Sequence, residues 1–320
     1  MIKLIASNWF LLALMAVLVA GFSGAKVCRV VVEVTWLKWS VVTVTMFVMA
    51  WPLEFRHLYR TVTRPVGPIL ATILNLLLIP LLAWPLSYLL GEELGPGLIV
   101  AAAVPTTLAT GAVWTRRAGG DDSLAIMVTI ITNLLCFFVT PAWVYYLAGN
   151  ETDQAKFVGT IFKLLYFVVI PMIVGQLVRF HQSSAKWATA QKRWLSLAAQ
   201  LGVLFMIFLG AVSTGIRVSE SGGFHIRVDQ VFMMVGVILF IHLSVCFMGM
   251  RLAKCFGLPK PEQIAVGFSG SQKTLMVGLS TAINMGVSII PLVSYHALQL
   301  LADTVIADRL RVREERTRSS

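Results

Sequence analysis

Charge is what this sequence has least of. Asp, Glu, Lys and Arg make up 13% of its 320 residues, about half the share of a typical soluble domain, and acids supply only 15 of them. Too few charges remain to coat a water-exposed surface. Cysteine is also sparse: Cys28, Cys136, Cys246 and Cys255 stand apart, without CxxC spacing or adjacent histidines, so neither a metal site nor a disulfide framework follows. HExxH, the phosphate-cradling GxxxxGK[ST] loop and a serine–histidine–acid grouping are all missing. Zinc hydrolysis, ATP-driven transport and triad chemistry fall away with them. No residue is assigned a catalytic role, the chain is not expected to be an enzyme, and no organic cofactor is implied.

Apolar side chains fill the gap, at 58% of the chain with a mean hydropathy of +0.82. That exceeds what a soluble core can bury and matches an all-α polytopic membrane protein, with the lipid bilayer as its first partner. A helix needs about 20 apolar residues to cross the hydrocarbon. Such stretches lie near 8–22, 37–55, 66–90, 97–118, 122–147, 158–180, 194–216, 230–250, 260–286 and 289–308, which makes ten. The first, within MIKLIASNWFLLALMAVLVAGFSGA, also has the charged start, apolar middle and small-residue end of a signal peptide. Trp9 and Phe10, which suit a membrane interface, and the balance of ten spans favour a retained helix.

The formal charge is +11, and a basic excess raises nucleic acid as a partner, so its distribution has to decide. Alternate connections hold Arg56, Arg60 and Arg64; Arg116 and Arg117; Arg179, Lys186, Lys192 and Arg193; and Arg251, Lys254 and Lys260. With Lys3 and the tail's Arg309, Arg311, Arg313, Arg316 and Arg318, eighteen basic residues gather on one side, against five on the other: Lys26, Arg29, Lys156, Arg217 and Arg227. Short cytoplasmic loops are enriched in Lys and Arg. The bias predicts both termini in the cytoplasm, a location in the inner (plasma) membrane and no nucleic-acid partner.

Two spans contain helix-weakening residues. GLIVAAAVPTTLATG (97–111) aligns with EQIAVGFSGSQKTLM (262–276): an apolar half-helix, a small-residue interruption, a second half-helix and, about 17 residues later, another long span. Five spans precede the connection near 150 and five follow it, so a single transporter domain over 1–320 is expected, with inverted repeats over about 1–150 and 151–320. A break in a membrane helix frees backbone groups that need partners. Such breaks persist mainly where they line a cavity or bind an ion, and two of them at matching places point to a binding site.

The PTTLAT…GGDDSLAIMVTIITNLL…TP pattern, the GFSGSQKTLMVG segment and SYHALQLL (294–301) resemble the bile acid:sodium symporter family, within solute carrier family 10. GSQKT and YHALQLL resemble more narrowly its divergent ten-span subgroup, shared by bacteria and animals. The resemblance implies a panel of helices 1, 2, 6 and 7 and a core of helices 3, 4, 5, 8, 9 and 10, interleaved in sequence. It implies that broken helices 4 and 9 cross near mid-membrane, that two sodium ions sit at the crossing in sodium-coupled relatives, and that an organic anion occupies the cleft between core and panel.

Residue by residue, the implied sodium ligands carry over incompletely. A hydroxyl followed by asparagine in the relatives is Thr110 followed by Gly111 here. The fifth helix keeps Thr129, but a serine one turn earlier is Ala125. In the ninth, the relatives' glutamate matches Phe268, their glutamine Gln272 and the next asparagine Lys273. A site that lost its acid and gained an ammonium repels a second cation, so the Na+ site is read as degraded. Lys273 then supplies the positive charge itself, or releases a proton; the plain structural reading has it paired, for example with Asp303.

The substrate- or ion-binding candidates are therefore Thr110, Gly111, Thr129, Ser271, Gln272 and Lys273. His296, Gln299 and Asp303, on one face of the tenth helix, are proton-coupling candidates, with Asp303 alternatively an ion-pair partner near Arg309. Asp121 and Asp122 are read as caps of the fifth helix. The expected function is secondary transport of a small or medium organic anion by alternating access, with Na+ or H+ as the coupling ion and sodium coupling doubtful. The alternatives are a non-transporting regulator on the same fold and a monovalent cation/proton exchanger. A cleft lined by polar groups favours transport, and one filled by bulky side chains the regulator.

Overall fold

A computed structural model of the chain describes residues 9–54, 65–108, 110–147, 154–220 and 226–319. Lys3, Arg56, Arg60, Arg64 and the connection near 150 lie outside them. The described residues form helices and no strand, as bilayer-length apolar runs must when every backbone group has to bond within its own segment. Six stretches are long and apolar enough to cross a membrane: Val66–Ala103, Asp122–Leu147, Phe157–Arg179, Lys192–Glu220, Val228–Cys255 and Ile290–Val312. Leu12–Ser23 and Thr35–Ala50 are shorter apolar helices.

In chain order, α1 is Trp9–Ser23 and α2 is Thr35–Ala50, preceded by a short helix at Arg29–Glu33. Next, α3 (Val66–Ile73) runs through a π turn, Leu74–Leu78, into α4 (Ile79–Ser87), followed by α5 (Gly91–Ala103), α6 (Thr110–Arg117) and α7 (Asp122–Leu147). A second π turn, Leu165–Val169, joins α8 (Gln154–Leu164) to α9 (Ile170–Arg179). The remaining helices are α10 (Gln182–Ala190), α11 (Lys192–Glu220), α12 (Val228–Cys255), α13 (Lys260–Ser271), α14 (Leu275–Met285) and α15 (Ile290–Ser319).

The helices pack in two groups. In one, α11 lies against α1 and α2, and α2 against α9. Small residues set these approaches: Gly21 meets Ala211, Gly202 meets Thr45, and Gly175 meets the backbone at Phe47, the usual device of helix contacts in lipid. In the other group, α13 packs on α12, α3 and α7, and α15 packs on α12 and α5. Gly249 and Gly267 bring α12 and α13 close. Helix α14 contacts both groups, touching α5 and α15 on one side and α11 and α2 on the other.

Both expected breaks are present, one of them displaced. Helix α5 stops at Ala103 and α6 starts at Thr110, so Thr110 and Gly111 are already helical. Helix α13 continues through Ser269 and Gly270 to Ser271, and the interruption falls at 272–274, after the small residues expected to form it. There Ser269 Oγ returns to the carbonyl of Ala265 (2.5 Å) and Gly270 packs against Leu74.

Candidate functional site

The site is built from backbone groups that the helices cannot satisfy. A helix end leaves carbonyls without partners, and both α5 and α13 end in extended residues, Val104 (ψ 159°) and Gln272 (ψ 150°). A third source is Pro80. The π turn bonds Ile79 N–H to Leu74 O; the next donor would be residue 80, which as proline has no N–H. The carbonyls of Asn75, its partner in π register, and Leu76, its partner in α register, are thus both released. Trp143 Nε1 donates to Leu76 O (2.7 Å), and Lys273 takes the other.

Lys273 Nζ donates to the carbonyls of Asn75 (2.6 Å) and Val104 (2.8 Å), with Asn75 Oδ1 at 3.4 Å. The side chain is 2% exposed, and its amino group sits among carbonyl oxygens, the ligands that hard cations choose. It does not pair with Asp303. Gln299 grips the Lys273 peptide at both ends, accepting its N–H (2.8 Å) and donating to its carbonyl (2.9 Å). Thr274 N–H donates to Pro105 O (2.8 Å), so the two interruptions bond directly.

Gln272 extends the network. Its carbonyl accepts from Asn75 Nδ2 (2.7 Å), its Oε1 accepts from Thr107 Oγ1 (2.8 Å), and its Nε2 donates to Asp303 Oδ2 (2.5 Å). Thr110 Oγ1 donates to Thr107 Oγ1 (2.8 Å), which also takes Gly111 N–H (2.9 Å). Thr129 Oγ1 donates to the carbonyls of Ala125 (2.9 Å) and Thr107 (3.1 Å). Ser271 contributes its carbonyl, which faces Tyr295 Oη and His242 Nδ1, each at 3.2 Å.

His242, which the sequence reading did not single out, completes the chain. A carbonyl oxygen only accepts, so Nδ1 facing Ser271 O carries a hydrogen. The other nitrogen, Nε2, lies 2.9 Å from Asp303 Oδ1, and both side chains are fully buried. That contact is attractive only with a further proton in it, so imidazole and carboxylate hold one between them. Asp303 is therefore no boundary ion-pair partner of Arg309. His296 is separate from this pair and hydrogen-bonds to Gln299 (3.0 Å). The capping assignment splits: Asp121 Oδ1 accepts from Ser123 N–H (2.9 Å) at the start of α7, while Asp122 pairs with Arg116.

No acid stands in α13 where the family resemblance expects one. Phe268, at the position of the implied carboxylate, is fully buried in an apolar cluster with Ala118, Cys246, Ile264, Ile306 and Ala307. Among the described residues, the one carboxylate in the junction network, Asp303, is engaged by His242 and Gln272, and the Lys273 amino group already occupies the released carbonyls.

A cleft of about 760 Å³ opens beside the junction, between α2 and α11 on one wall and α6 on the other. Thr107, Thr110, Thr274 and His296 contribute to its floor, Trp9, Trp114 and Leu195 to its walls, and Glu54, Arg116, Asp122 and Lys192 to its rim. Of the residues expected at the site, Thr110 and His296 line the cleft. Gly111, Thr129, Ser271, Gln272, Lys273, Gln299 and Asp303 lie behind it and hold the breaks together.

Residues 8–312 match the SBF-like CPA transporter family. The chain belongs to this family. It is 29% identical over 240 residues, 68% of its length, to the Arabidopsis thaliana protein named "Probable sodium/metabolite cotransporter BASS4, chloroplastic". It spans about half (52%) of that relative. It is 25% identical to "Solute carrier RCH1" of Candida albicans, over 67% of the chain and 64% of that protein. It is 20% identical to "Sodium/bile acid cotransporter 7-B" of Xenopus laevis, over 97% and 94%. The family places the chain among membrane transporters and not among enzymes.

Proposed function

We propose that this chain is a secondary transporter that moves a small or medium organic anion by alternating access, with Lys273 as a resident cation in place of sodium. The observation that carries the reading is the Lys273 ammonium seated on the carbonyls of Asn75 and Val104 where the two interrupted helices meet. Sodium-coupled transporters stabilise such breaks with ions that come and go. A tethered ammonium does the same permanently. The positive charge then stays next to the floor of the cleft, where the N-terminal halves of α6 and α14 also present their positive dipole ends.

On this reading the two packing groups are the panel (α1, α2, α8, α9, α11) and the core (α3–α7, α12–α15). The ten spans form two inverted five-span repeats, each with one broken helix, and the cleft mouth faces the cytoplasm of the inner (plasma) membrane, with both termini on that side. The names of the relatives, sodium/metabolite and sodium/bile acid cotransporters, support an organic metabolite as cargo. An open cleft with polar groups at its floor weighs against the non-transporting regulator. The His242–Asp303 pair is the observation that favours a cation/proton exchanger as the second reading.

A thermal-shift screen of organic anions on the purified chain, in sodium and in choline chloride, tests the proposal, since a binder stabilises the state it binds. Stabilisation by one class of anion, equal in both salts, is expected. A screen in which only monovalent cations stabilise the protein would favour the exchanger.

A further inference from the structure

The far end of the molecule holds cations that the site does not use. Lys38 (α2), Lys163 (α8) and Arg217 (α11) sit on the panel helices, away from the cleft rim marked by Glu54, Arg116 and Lys192. Lys163 Nζ donates to Asn284 Oδ1 (3.2 Å), and the Arg217 guanidinium donates to the carbonyl of Gly286. Both acceptors lie at the C-terminal end of α14, where Gly286 adopts the left-handed conformation (φ 68°) that ends the helix and leaves terminal carbonyls free for other donors. Lys38 covers the ring of Trp39 at 5.1 Å and repels Lys163.

These three cations form no salt bridge among the described residues; Glu93 attracts Arg217 only from a distance. Their bonds across to α14 go to a neutral amide and a neutral carbonyl. A neutral amide or carbonyl leaves the charge of each cation in place, whereas an anion adds a direct Coulombic attraction to both, so a carboxylate or sulfonate reaching this end outcompetes both α14 acceptors. The closed arrangement is held by replaceable bonds next to positive charge that no salt bridge neutralises among the described residues.

We propose that Lys163 and Arg217 latch the panel helices to α14 at this end of the molecule, and that an organic anion arriving from that side opens the latch by taking both cations from Asn284 and Gly286. The proposal rests on the transport reading for the class of ligand. It supplies the differential affinity that any ligand-driven change of state needs: the anion binds the panel cations only when α14 has let go of them.

The test uses the full chain in nanodiscs with Cys28→Ser and Cys255→Ser, and Met285→Cys beside the latch as a reporter for maleimide labelling. Lys163→Met with Arg217→Gln is expected to raise the labelling rate about fivefold or more, a shift of the open population. The amphipathic anion 8-anilinonaphthalene-1-sulfonate should raise the rate in the latched protein and not in the double variant. Uncharged N-phenyl-1-naphthylamine should change neither. The charge-keeping Lys163→Arg/Arg217→Lys protein should label as slowly as the parent, which separates loss of the latch from loss of packing.

An unchanged rate in the double variant would overturn the proposal, as would equal responses to the charged and uncharged probes, or a rise shared by the charge-keeping variant. Because the readout needs no transport, expected labelling together with a failure to carry any anion into vesicles would count against the transport reading alone.

Discussion

Lys273 binds oxygens that have no other strong donor, and that fixes what its loss does. Lys273→Met leaves the carbonyls of Asn75 and Val104 buried and unbonded, at about 1–3 kcal/mol each. The same atoms lie directly behind the floor of the cleft, next to Thr274, which lines it, so melting temperature and anion affinity should fall together. Normal affinity in a less stable protein would remove Lys273 from the site and leave it a purely structural role. His242 and Asp303 give a second expectation. His242→Phe strands a buried carboxylate and should cost about 3–5 kcal/mol, while adding Asp303→Leu should recover part of that, since removing both charges spares the desolvation but leaves Gln272 Nε2 without its acceptor. Denaturation of the two variants checks this, and equal losses would mean that no proton is shared there.

Among the elements, the α3–α4 π turn matters most and was least legible. Pro80→Ala restores an N–H that can bond within the helix, so Leu76 O no longer depends on Trp143. A double-mutant cycle between Pro80→Ala and Trp143→Phe should therefore show a coupling of about 1 kcal/mol, with Trp143→Phe costing less in the alanine background. Additive losses would mean that the proline does not create the acceptor. Pro105 and the small residues of GFSGSQKT made the two breaks readable, because each weakens a helix by itself. The second break starts at Gln272, beyond the small residues that signal it, and Gly270 within the helix packs against Leu74. Lys273 could be singled out as a cation between apolar segments; its partners could not, because backbone carbonyls have no signature in a sequence. The same logic applied to VILFIHLSV would have found His242 within α12. Lys38 and Lys163 were overlooked because they fall inside apolar spans and escaped the charge comparison of the loops.

For the whole molecule, the account predicts a protein whose two helix groups move against each other around a cleft of about 760 Å³. Ala112 lines that cleft from α6 and is only half-buried, so Ala112→Trp should fill it without overpacking the core. Stabilisation by any anion should then disappear with less than about 1 kcal/mol change in the stability of the unliganded protein, as for surface substitutions generally. Unaltered anion binding would place the ligand elsewhere.

The central claim is that a tethered ammonium stands in place of sodium, and the melting temperature of the unliganded chain in sodium chloride against choline chloride at equal ionic strength tests it most directly. A sodium site at one hundred times its dissociation constant would add about 2.7 kcal/mol, an easily seen shift. Equal melting temperatures are expected for the native chain, and a sodium-dependent rise only after Phe268→Glu and Lys273→Asn are introduced together. A rise in the native chain that disappears in Thr110→Ala or Gln272→Ala would contradict it, showing that those oxygens bind sodium without the missing acid.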